Sequence, residues 1–193
     1  MAHRHGGASK QTSLALVLLA YAAALGASIA VGYLVHDDLA SNVPLLLAMI
    51  GFGVATTTVW LSSLLANNSS MYDAFWSVAP QAAANYWAIA TYLDGRAVDT
   101  TRMVFILVAV NLWSLRLTIN WLRAFPGLHH EDWRYLNIKR AMLGETPSLL
   151  RKTYYWVCGS LLGLHLFPSI ETFLASTPSK LRPLERLHQW ISQ

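Results

Sequence analysis

Cysteine and charge are both scarce in this sequence. Cys158 is the single cysteine among 193 residues, which excludes an internal disulfide and a cysteine-rich zinc site. Charged residues make up 12% of the chain, about half the share found in soluble domains. The net charge is only +4, and the basic residues are spread along the chain. A nucleic-acid surface needs them gathered on one face, so nucleic acid is not an expected partner. Internal repeats and low-complexity linkers are absent as well. What the sequence has instead is 54% hydrophobic residues, with eight tryptophans and eight tyrosines, rings that favour membrane–water boundaries. The expected class is an all-α integral membrane helical bundle of about five transmembrane helices.

The first uncharged run, residues 13–35, reads SLALVLLAYAAALGASIAVGYLV. A spanning helix needs about 20 apolar residues, so this run is long enough. A cleaved signal peptide is the rival reading, because Arg4 and Lys10 precede the run, but the run exceeds the usual h-region of roughly 7–15 residues. The second run is residues 43–66. Its Gly51 and Gly53 stand in GFGVAT, without the strand and third glycine of a dinucleotide fingerprint, so close helix packing is the expected role. A third, weaker run covers 72–93 and carries Asp73, Pro80, Gln81 and Asn85. The fourth is 103–122, with Arg116 inside, and the fifth is 153–175, with His165, Pro168 and Glu171. Gly159 and Gly163 form a GxxxG pair in the fifth, a spacing that lets a neighbouring backbone approach.

The organisation expected from these runs is a tail over 1–12, a membrane domain over 13–175 and a basic tail over 176–193. Arg4, Lys10 and the six basic residues of the 123–152 connection fall on one side, against Arg96, Arg102, Lys180, Arg182 and Arg186 on the other. That bias places the N-terminus in the cytosol. Membrane lipids are the expected surroundings, in the endoplasmic reticulum of a eukaryote or the inner membrane of a bacterium.

Charge inside a span is costly, about 2.5–3.5 kcal/mol for an arginine at the bilayer centre on insertion scales. At helical spacing Trp113, Arg116, Asn120 and Arg123 share one narrow arc. That stripe is expected to face the protein interior or a cavity, either pairing with acids to fix helix register or binding an anionic or carbonyl-bearing ligand. Asp73 opens the third run, where it either caps the helix or shares a pocket with Trp76 one turn away. Its isolation suggests a pairing with Arg116. The two overlapping acceptor patterns at Asn67 and Asn68 abut a span on the expected cytosolic side and read as chance matches to the glycosylation signal.

The densest polar stretch is FPGLHHEDWRY, residues 125–135. His129 and His130 invite a metal, but adjacent histidines diverge on a helix where metal ligands usually stand one turn apart. No metal site is expected there. Glu131, Asp132 and Arg134 can pair locally, while Trp133 and Tyr135 can anchor at the membrane surface. His165, close to Pro168, reads as a packing or helix-kink histidine.

NSSMYDAFWSVAP (68–80) and LWSLRLTINWLRAFPGLHHEDWRY (112–135), with SLLGLHLFPSIETFLASTP after them, together resemble the steroid 5-alpha-reductase-like superfamily, in its multi-span branch of uncharacterised function. The resemblance covers about residues 45–178. It implies an oxidoreductase acting on CH–CH groups, reducing double bonds conjugated to carbonyls in lipids or steroids with NADPH. Matching positions are Asp73, Trp76, Arg116, Asn120, Arg123, Glu131, Asp132, Arg134 and Tyr135. The superfamily's Arg-His-Pro-Asn-Tyr…Gly-Glu cofactor signature has no counterpart here: Asn85-Tyr86 continues as WAIA, and Gly144-Glu145 stands in another context. The chain is therefore expected to be a truncated or partial form of such a reductase. The alternatives are a non-catalytic membrane protein that keeps the fold, or a small transporter subunit.

Overall fold

The computed structural model describes residues 9–39, 44–93 and 99–176. The expected tails lie mostly outside these residues. Every regular element among the described residues is helical. Helices α1 (Lys10–Leu39), α2 (Pro44–Leu65), α3 (Phe75–Leu93) and α4 (Thr100–Ala124) are followed by a short α5 (Trp133–Leu143) and a long α6 (Leu149–Ser176). Among the described residues, four helical segments are long and apolar enough to cross a membrane: Lys10–Val35, Leu46–Leu65, Thr100–Ala124 and Leu149–Ser176. The helical membrane bundle is thus as expected, with one fewer spanning helix by this measure. Helix α3 is 19 residues long, and its Gln81 and Asn85 face a neighbouring helix instead of lipid.

Helices α1 and α2 run antiparallel. Ser28 Oγ donates to the Gly51 carbonyl at 2.8 Å, and Ala24 packs with Val59 in one buried cluster. Small residues at Gly51 and Ser28 permit that approach. Helices α3 and α4 form a second antiparallel pair along a polar seam. Gln81 Nε2 donates to Asn111 Oδ1 at 2.7 Å, Ser114 Oγ donates to Gln81 Oε1 at 2.9 Å, and Ser77 and Thr118 hydroxyls meet at 3.2 Å. Residues 77, 81 and 85 repeat every four positions, and 111, 114 and 118 every three or four, so each set occupies one helix face.

Helix α6 packs on α2 and α3 and widens into a π-helix over Tyr155–Leu166. His165 is fully buried here. Its Nδ1 donates to the Ser160 carbonyl at 2.9 Å, and Nε2 faces Ser63 Oγ at 3.1 Å, whose one proton is shared with the Val59 carbonyl at 3.0 Å. Both ring nitrogens thus face polar partners inside the bundle, in keeping with a packing role. The GxxxG pair does not act as a unit. Gly159 admits Met142 of α5, whose Sδ lies 2.6 Å from where a Cβ would stand, whereas Gly163 meets only the carbonyl of Cys158 in its own helix.

Candidate functional site

The site grows from the turn after α2. The helix ends in a Schellman-type closure: the Asn68 N–H donates to the Ser63 carbonyl at 2.9 Å, with Asn67 in the left-handed region at φ 50°. Residues Ser69–Tyr72 then form one buried turn of 3-10 helix, capped by the Asn68 side chain on the Ser70 N–H. Buried backbone needs partners, and the 125–135 stretch supplies them. Asn68 Nδ2 donates to the carbonyls of Leu128 and His130, both at 2.9 Å. The Ser69 N–H donates to Glu131 Oε1 at 2.8 Å, and the Asp132 N–H donates to Ser70 Oγ at 2.9 Å.

Asn68 is therefore committed and buried, which fits the chance reading of its acceptor pattern. Glu131 is also committed. Its other oxygen takes an ion pair from Lys139 Nζ at 3.1 Å, with side-chain exposures of 8% and 15%. Lys139 also donates to the Asn67 carbonyl and lies over the rings of Tyr155 and Trp156. Gly127 turns the chain at φ 121°, where a side chain would be strained and a Cβ would press on the His129 ring at 2.8 Å.

Helix α5 begins immediately after this junction. Asp132 is its N-cap, accepting from the Arg134 N–H, and it also holds the Arg134 guanidinium through Nε at 2.8 Å and Nη2 at 3.1 Å. This bidentate fork keeps the Asp132 carboxyl below its ordinary range, and Asp132 in turn raises Arg134. Tyr135 follows one turn after Glu131, and its hydroxyl donates to Asp73 Oδ1 at 2.7 Å. Burial pushes the Asp73 carboxyl up to about 6, partly offset by the Tyr135 and Ser70 hydroxyls. Burial, followed by the Asp73 charge, pushes the Tyr135 phenol up.

Asp73 and Trp76 line a cleft of about 340 Å³ together with Ser70, Ser77, Leu117 and Trp121, and with the stretch through Phe125, His130, Asp132 and Arg134. One wall is apolar and the other carries the acid. Trp76 stacks edge-on with Trp113 at 6.0 Å, and both rings are 39% exposed, so the apolar wall continues onto the outer surface of α3 and α4.

Four expectations change. Asp73 does not cap α3; it closes the 3-10 turn, two residues before that helix begins. It does not pair with Arg116 either, because Tyr135 is its partner and Arg116 is exposed. The stripe of Trp113, Arg116, Asn120 and Arg123 faces outward, all four being exposed, while Asn111, Ser114 and Thr118 take the inward face. Tyr135, expected as a surface anchor, turns inward to the carboxyl. Of the matched residues, the cleft gathers Asp73, Trp76, Asp132 and Arg134, with Tyr135 behind Asp73. Glu131 braces the junction, and Arg116, Asn120 and Arg123 lie outside the lining. Trp121, Ser70 and Ser77 were not singled out in the sequence. The 3-and-4 spacing of Ser114, Leu117 and Trp121 was the signal that held Trp121.

The family described as "Protein of unknown function (DUF1295)" matches residues 59–191. The chain belongs to the DUF1295 family. The matched region contains the whole 3-10 turn, α3 to α6 and the cleft between them. An uncharacterised protein of Schizosaccharomyces pombe is 22% identical over 143 residues, which is 73% of this chain and 38% of that protein. This DUF1295 chain thus spans well under half the length of that relative. No solved structure matches the chain.

Proposed function

We propose that the cleft binds the carbonyl end of an amphiphilic lipid and polarises it through Asp73, as part of a membrane reductase of carbonyl-conjugated lipids. The observation that carries this reading is the half-buried Asp73 carboxyl, pushed up to about 6 by its burial and held by Tyr135 at 2.7 Å in a half-apolar cleft. A carboxyl that keeps its proton this easily can donate a hydrogen bond to a carbonyl oxygen. An apolar ligand displacing the remaining water raises it further, so the neutral acid is the form that meets the carbonyl. That bond draws electron density from a conjugated double bond. Trp76 and Trp113 offer a path for the hydrocarbon part toward the bilayer. The resemblance to steroid 5-alpha-reductase-like proteins supports the substrate class.

The described cleft does not fit the nicotinamide dinucleotide that the resemblance implies. At about 340 Å³ it stands at the low end of small-molecule pockets, roughly 300–1,000 Å³, and Arg134, which lines it, is engaged by Asp132. No hydride step is assigned to these residues. The small cleft favours, as a second reading, a lipid-carbonyl binding protein without turnover. Titrating a long-chain enone into the chain in detergent, with tryptophan fluorescence as readout, tests the binding claim. Binding that weakens several-fold as pH rises through about 6, and that Asp73→Ala weakens at low pH, is expected. A pH-independent affinity equal in the variant would refute it.

A further inference from the structure

Asp73 is the one carboxyl of the cleft that no cation pairs with among the described residues. Asp132 is held by Arg134 through Nε at 2.8 Å and Nη2 at 3.1 Å, and Glu131, in the adjoining junction, by Lys139. From α5, Tyr135 donates to Asp73 at 2.7 Å, and the Ser70 hydroxyl of the 3-10 turn lies beside it. On α1 its neighbour is Tyr21, whose hydroxyl is committed to the Met71 carbonyl at 2.8 Å. Helices α3 and α4 bring Trp76, Ser77, Leu117, Trp121 and Ala124 to the lining, and none of these is charged. His130 is the remaining titratable side chain on the cleft wall.

Burial pushes Asp73 up to about 6, so at neutral pH the carboxylate prevails, half-buried and without a counter-charge. Such a charge is costly until a cation meets it. The cleft does not suit a metal ion, because among the described residues no group of three or more histidine, cysteine or carboxylate side chains could hold one. Its walls suit an organic cation instead. Trp76, Trp121 and Phe125 line it, with the Trp121 and Phe125 rings stacked at 4.6 Å, and aromatic rings attract alkylammonium groups. Its volume of about 340 Å³ is on the scale of a small-molecule site.

We propose that the cleft binds an alkylammonium cation, its charge held by the Asp73 carboxylate and the rings of Trp76 and Trp121. The inference goes beyond the carbonyl reading and does not rest on it. The carboxylate takes the cation and the neutral acid takes the carbonyl, so the two ligands bind with opposite pH dependence and either can fail alone. Calorimetric titration of the chain in maltoside micelles compares choline with dimethylbutanol, its uncharged analogue with carbon in place of the ammonium nitrogen. Choline affinity should rise about tenfold from about pH 5 to about pH 7, as an acid titrating near 6 ionises, while that of the alcohol stays flat. The rise should persist in His130→Gln and vanish in Asp73→Asn. Trp76→Leu should weaken choline about threefold more than it weakens the alcohol. Displacement of choline by dodecylphosphocholine assigns the cation to a lipid headgroup, and no displacement assigns it to a ligand without phosphate; either supports the site. Equal affinities for choline and the alcohol at about pH 7, or a choline affinity that Asp73→Asn leaves unchanged, overturns the inference. The wild-type comparison of choline with the alcohol decides even where Asp73→Asn fails to fold.

Discussion

The Tyr135 hydroxyl donates to the Asp73 carboxylate across 2.7 Å, joining the start of α5 to the turn before α3. The bond stabilises the charged form of an acid that burial otherwise keeps protonated. Tyr135→Phe should therefore raise the Asp73 titration midpoint above 6, by about 0.7 pH unit if the bond contributes about 1 kcal/mol. Carboxyl infrared bands followed against pH check this. A midpoint that falls or stays in place would mean that the phenol does not hold the acid.

The same acid sets a pH dependence of stability. Its folded value of about 6 lies above the ordinary 3.8, so the folded chain holds the proton more tightly than the unfolded chain. The stabilisation is complete below about 4 and is lost as pH rises through about 6. The thermal midpoint in detergent should fall over that window, and Asp73→Asn should flatten the fall.

The Glu131–Lys139 pair is nearly buried and braces the junction below the cleft. Removing one partner leaves the other uncompensated, so Lys139→Met should cost roughly 2–4 kcal/mol. The double variant with Glu131→Gln should lose less than the sum, with a coupling of about 1–3 kcal/mol. Chemical denaturation of the four proteins in micelles measures it.

Met142 Sδ occupies the place of a side chain at Gly159, while Gly163 meets nothing beyond its own helix. Gly159→Val should destabilise the chain by about 1–3 kcal/mol through overpacking. Gly163→Ala should be tolerated. Thermal midpoints of the two variants distinguish this from a symmetric GxxxG contact, which would make both substitutions harmful.

Much of the fold was legible because long uncharged runs in a low-charge chain admit few structures other than helices. The runs at 13–35, 103–122 and 153–175 lie inside α1, α4 and α6, whose ends reach up to four residues further, and the run at 43–66 brackets α2. Which way each helix faces was harder to read. The strongest charges on α4, Arg116 and Arg123, drew the expected inward face. The actual contact was selected by complementary amides and hydroxyls, with Asn111 and Ser114 meeting Gln81 and Asn85. Such matching depends on two helices at once and is invisible along either one. In the cleft, the closeness of Asp73 and Trp76 followed from local spacing. The Asp73–Tyr135 bond spans 62 positions and depends on the 3-10 turn that no periodicity announced.

The central claim is that Asp73 meets a lipid carbonyl in the cleft. Isotope-edited infrared spectroscopy of a long-chain enone labelled at its carbonyl carbon, bound to the chain in bilayers, tests it most directly. The predicted result is a carbonyl band shifted to lower frequency on binding near pH 5, with the shift lost in Asp73→Ala and diminished above pH 7. A bound enone whose carbonyl frequency is the same in wild type and Asp73→Ala at every pH would contradict the account.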